Sequence, residues 1–67
     1  MESTKMKILS HMALKGYDKT EMAKLMGLSL YKLRKRLNNT SDITLGEMNK
    51  MIKILDIERP GDVFYNA

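Results

Sequence analysis

Four cations, Lys32, Arg34, Lys35 and Arg36, stand within five residues, directly after Tyr31. Ammonium and guanidinium groups at this density suit a polyanionic partner. Lysine donates well to the O6 and N7 acceptors of guanine, and an aromatic or apolar side chain packs on a thymine methyl. Other chemistry is poorly supplied. With no cysteine, neither a disulfide nor a thiolate metal site is available. His11 is the single histidine, and the neighbouring Ser10 does not share its helical face. No enzyme activity, metal, cofactor or small-molecule substrate is therefore expected.

The cations also work against the helix that carries them. Lys32 and Lys35 are i, i+3 neighbours, and Lys32 and Arg36 are i, i+4 neighbours. Each like-charge pair costs about 0.2–0.5 kcal/mol in an isolated helix. Selection for stability alone would intersperse glutamates, and Leu30–Asn38 has none. Residues 1–41 hold nine Lys/Arg against three Asp/Glu, whereas residues 42–67 hold three against five. The chain thus has a basic side and a mildly acidic one. Nucleic acid is the first candidate partner and an anionic membrane surface the second.

A chain of 67 residues makes one domain at most, here 1–67, and its small core invites a partner subunit. No apolar run approaches the ~18 residues of a membrane span. MESTKMKILS lacks an apolar signal-peptide core, so a cytoplasmic protein is expected.

The elements that must position the cations read as helices throughout. Helix 1 starts at Ser3 or Thr4 and ends at Lys15, with Gly16 in the left-handed position beyond it. Its expected inward stripe is Met6, Leu9, Met12 and Ala13, with Ile8 at the margin. Asp18, Ser29 and Thr44 each carry the marks of an N-cap. Asp18 with Glu21, and Thr44 with Glu47, fit capping boxes. Apolar pairs flank all three caps as staples: Tyr17 with Met22, Leu28 with Leu33, and Ile43 with Met48. No box is possible at Ser29, because its third helical residue is Lys32. Helix 4 is expected over Leu45–Leu55, with Leu45, Met48, Met51, Ile52 and Leu55 inward. Asn38-Asn39-Thr40-Ser41-Asp42 is turn-like, and Pro60 suits the first position of a short fifth helix ending near Phe64.

Two helices joined by a short glycine turn outline a helix-turn-helix over about 18–38. Ala23 supplies the small residue at the helix crossing, Gly27 opens the turn, and Met22, Met26, Leu28 and Leu33 hold the pair together. The segment EMAKLMGLSLYKLRKRL followed by TLGEMNKMIKILDI resembles the lambda repressor/Cro-type helix-turn-helix family, especially its small phage members. The likeness is close over about 17–58. It implies an all-α, compact five-helix domain that binds double-stranded operator DNA as a homodimer. In one place the chain departs from the family pattern: Arg36 stands where an apolar residue is usual, and Leu37 takes the inward role.

The family pattern puts base contacts at Leu30, Tyr31 and Lys35, with Ser29 and Arg34 close by. Helical geometry, at about 100° per residue, gives a second view. With Leu33 and Leu37 inward, Lys35 points directly away, Tyr31 and Lys32 flank it, and Asn38 ends that face. Phosphate contacts are expected at Lys19, Arg36, Asn38, Asn39, Thr40 and Thr44, which would position the duplex without reading it. Plain turn chemistry is the alternative for the asparagines. Val63, Phe64 and Tyr65 either close the core or form part of a twofold dimer contact, and a mixture of the two roles is expected.

Other readings carry less. The seven methionines are expected to be mostly core filler, with a methionine-rich peptide groove as the lesser alternative. Helix 1 is basic and partly amphipathic, but it lacks the aromatic-rich apolar face of a membrane-surface helix. Asn38-Asn39-Thr40 and Asn39-Thr40-Ser41 match the glycosylation pattern incidentally. A protein-interaction module on the same fold is the main functional alternative: an anti-repressor, a repressor modulator, an inhibitor of a host system, or an antitoxin.

Overall fold

The computed structural model describes residues 3–64. Five helices follow one another: α1 (Thr4–Lys15), α2 (Lys19–Met26), α3 (Leu30–Asn38), α4 (Leu45–Leu55) and α5 (Pro60–Phe64). A single 3-10 turn, Thr40–Asp42, lies between α3 and α4. No strand occurs among the described residues, and none of their helices is long and apolar enough to cross a membrane. The all-α five-helix architecture expected above is the one observed.

Local hydrogen bonds set the helix boundaries. Ser3, Asp18, Ser29 and Thr44 each accept, through a side-chain oxygen, the amide of the third helical residue. Such a cap satisfies a backbone donor that the helix cannot, worth about 1 kcal/mol. Of the two expected capping boxes, only that of Thr44 and Glu47 has both halves formed. Three helices end in the left-handed conformation, at Gly16 (φ 75°), Gly27 (φ 72°) and Asp56 (φ 51°). Gly27 allows the chain to reverse directly between α2 and α3. Asp56 adopts the same backbone without being glycine, and its carboxylate receives the Lys15 ammonium from the end of α1.

The core lies where α2, α3 and α4 meet and is closed by α1 and α5. Its largest fully buried side chains are Ile8, Met22, Met26, Leu33, Leu37 and Met51. Ala23 is also buried at the helix crossing, and Tyr17, Leu28 and Met48 pack partly against the cluster. The methionines at 12, 22, 26 and 51 are thus core filler.

Two expected faces are corrected. On α1 the buried line is Thr4, Ile8 and Met12, while Met6 is 50% exposed and Ala13 is exposed. Ile8 therefore lies at the centre of the buried face, not its margin. At about 100° per residue, Met6 and Ala13 point more than a right angle away from that line. Apolar residues occupy more than one side of α1, and packing on α4 and α5 selects among them. On α4, Leu45 is 68% exposed. It is the first helical residue, and Ile43, just before the cap, is buried in the core cluster instead.

Candidate nucleic-acid interface

The inward side of α3 is fixed by Leu33 and Leu37, both buried. Everything else about the helix follows from that rotation. Lys35 projects opposite the core, and Tyr31, Lys32, Arg34 and Asn38 are exposed around it. Ser29 is exposed at the cap. Leu30 is half-buried, since it lies only about 40° from the core direction. Tyr31 is 69% exposed, and the Lys35 Nζ sits 5.3 Å from its ring centroid. That distance is within cation–π range, so the two residues on which both sequence readings agree are also brought together.

Lys32, Arg34 and Lys35 have no carboxylate partner among the described residues. Arg36 does. Its Nε donates to Glu47 Oε1 at 3.0 Å and to Oε2 at 3.3 Å, linking α3 to the start of α4. Both side chains are partly covered, at 27% and 15% exposure. This contact explains how arginine occupies a customarily apolar position. The side chain is partly covered and its charged head meets a carboxylate. Burial pushes the Glu47 carboxyl up. The Thr44 amide, the Arg36 guanidinium and the Thr44 hydroxyl outweigh burial and hold it below the ordinary carboxylate range.

The expected phosphate-contacting residues are placed in different ways. Lys19 is half-buried at the first position of α2. Asn38 ends α3, and its Oδ1 accepts from the Lys5 Nζ at 3.0 Å. The Asn39 side chain is spent inside the turn, donating to Asp42 Oδ2 at 3.0 Å and accepting from the Ser41 hydroxyl at 2.8 Å. Thr40 is half-buried in the same turn. The Thr44 amide donates to Glu47 Oε1 at 3.0 Å, so it is not available to an outside anion. Val63 is 3% exposed and closes the core, the first of its two expected roles. Phe64 packs partly against the core, and Tyr65 lies outside the described residues.

Sequence reasoning missed two residues of this region. Lys5, on α1, brings a cation to the end of α3 from 33 residues away. Lys50, on α4, donates to the Met26 carbonyl at 3.3 Å, at the turn between α2 and α3. A cation at a helix C-terminus satisfies a terminal carbonyl and complements the helix dipole. Neither contact has a local sequence signal.

The model of the Cro/C1-type helix-turn-helix DNA-binding domain matches residues 7–65. The chain belongs to that family. The match includes the capped turn at Gly27, all of α3 and the whole of α4. No curated protein and no solved structure matches the chain significantly. As a Cro/C1-type domain the chain binds DNA, and the cations of α3 stand on the motif that gives the family its name.

Proposed function

We propose that this chain is a transcription regulator, a Cro-like repressor of phage or prophage type. It binds operator half-sites as a homodimer with α3 in the major groove. One observation carries the reading. The side of α3 opposite Leu33 and Leu37 presents Tyr31, Lys32, Lys35 and Asn38, with Arg34 exposed on its flank, and no carboxylate among the described residues pairs with Lys32, Arg34 or Lys35.

Lys35 is the principal base-reading residue, donating to guanine, and Tyr31 beside it packs on a thymine methyl. Lys32 and Arg34 flank the pair, with Ser29 and Leu30 at the helix start. Lys19, Asn38 and Thr40 hold phosphates, joined by Lys5 because its ammonium lies against Asn38. Asn39 and Thr44 are left out of this set, since donors that would meet a phosphate, the Asn39 Nδ2 and the Thr44 amide, are turned to carboxylates within the chain, whereas in Asn38 only the acceptor oxygen is engaged.

A helix-turn-helix dimer reads half-sites about 34 Å apart, one turn of the duplex. The subunit measures 30 × 23 × 21 Å, each extent below that spacing, which leaves room for one copy on each half-site. The dimer contact is proposed around Phe64 and Tyr65. Sedimentation that finds only monomer at high concentration, with and without DNA, would remove the dimer.

The deciding experiment is selection from random duplex DNA at near-physiological salt. The expected product is a palindromic consensus whose affinity falls with salt at a log–log slope of about −0.9 per neutralised phosphate. No enrichment, with salt-insensitive capture of a protein partner instead, would move the reading to an interaction module.

A further inference from the structure

The cations of α3 are not equivalent, and the difference lies in Glu47. Lys32, Arg34 and Lys35 face outward without an acid, whereas the Arg36 Nε is shared between both oxygens of a carboxylate. That carboxylate is itself immobilised. Its Oε1 accepts the Thr44 amide, and the Thr44 hydroxyl accepts the Glu47 amide in return. A guanidinium paired in this way presents little net charge to its surroundings. A phosphate competing for it would have to displace Glu47 and would leave an unpaired carboxylate beside the DNA backbone.

We infer that Glu47 withholds Arg36 from the DNA backbone, so that the α3–α4 tie limits sequence-independent binding. Glu47 is thus a specificity-determining residue that touches no DNA and acts through Arg36. The inference rests on the DNA-binding reading and replaces the sequence-based expectation that Arg36 contacts a phosphate. Counterion release counts only the phosphates that a cation newly neutralises. An internally neutralised arginine therefore adds nothing to the salt slope, and removing its carboxylate adds one cation.

The test has two arms. The first needs no DNA. In the wild-type protein the Arg36 Nε–H should exchange with water more slowly than that of Arg34 by NMR, and Glu47→Gln should abolish most of the difference. Gln retains the amide-accepting oxygen of a capping box, so this variant should fold. Equal exchange at the two arginines in the wild type would overturn the inference.

The second arm measures salt-dependent binding to a random-sequence duplex. Glu47→Gln should bind several-fold more tightly, with a slope steeper by about 0.9. Arg36→Met, which keeps an apolar stem, should keep the wild-type slope, and the double variant should match Arg36→Met. A shallower slope in Arg36→Met would show that Arg36 already touches phosphate. A gain that persists in the double variant would show only the loss of a negative charge. Either result overturns the inference. A wild type that binds no duplex removes the DNA reading itself, whereas an unchanged Glu47→Gln slope in a wild type that binds normally removes this inference alone.

Discussion

Helices α3 and α4 begin alike and then diverge. Each starts from a hydroxyl cap, Ser29 or Thr44, that accepts the amide three residues on. Each cap lies between apolar residues that pack into or against the core, Leu28 and Leu33 for one, Ile43 and Met48 for the other. The third helical residue is Lys32 in α3 and Glu47 in α4. In α4 that glutamate completes the capping box, complements the positive end of the helix and receives Arg36. In α3 the lysine does the opposite, adding a cation where the helix dipole is already positive. The comparison separates two demands on one motif. The supporting helix is arranged for stability, and the exposed helix gives up stability for charge.

The largest test of that contrast is to impose the pattern of α3 on α4. Glu47→Lys removes one half of the box and places a cation against Arg36. It should destabilise the domain by about 2–3 kcal/mol, since a partly buried charge loses its partner. Chemical denaturation would measure this. An effect under 0.5 kcal/mol would mean that the tie is slack.

On the other side of the contrast, Lys35→Ala should leave stability nearly unchanged. Against the selected duplex, base discrimination should fall by about 1–3 kcal/mol. Competition between the consensus and single-base variants reads this loss. Unchanged discrimination would mean that a different side of α3 enters the groove.

Giving α3 the residue of α4 is gentler and more informative. Lys32→Glu completes a box at Ser29 and turns the like-charge pair with Lys35 into a favourable one. Stability should rise by about 0.5–1 kcal/mol, while DNA affinity falls. A rise in thermal midpoint without loss of binding would separate Lys32 from the interface.

The smallest effect is that of acid. The Glu47 carboxyl titrates below its ordinary value in the folded chain. Its contribution to stability is therefore complete above the ordinary carboxylate range and is lost as pH falls through the folded-state value. A denaturation series across that interval should show the loss in the wild type and not in Glu47→Gln.

The parts of this molecule legible in the sequence are those held by bonds three or four residues long. The caps at Asp18, Ser29 and Thr44, the left-handed ends at Gly16 and Gly27, and the start of α5 at Pro60 all stand where local chemistry predicts them. The rotation of α3 was legible too, because Leu33 and Leu37 leave one consistent inward direction. What escaped was tertiary. Arg36 finds Glu47 across 11 residues, Lys50 finds Met26 across 24, and Lys5 finds Asn38 across 33. The choice of Ile8 over Met6 on α1 has the same origin. Periodicity says that a face exists, and only the neighbouring helices decide which of two apolar lines becomes it.

The Lys35 ammonium over the Tyr31 ring has a consequence for how such a reader changes its target. The two side chains already lie within cation–π range of each other before any duplex arrives, so a change at one alters the surroundings of the other. Replacing Tyr31 alone would release Lys35 and blur two neighbouring contacts together. On the DNA-binding reading, a new operator preference would then be reached through paired substitutions at 31 and 35. Libraries that vary the two positions jointly would find functional readers that single-site scans pass over.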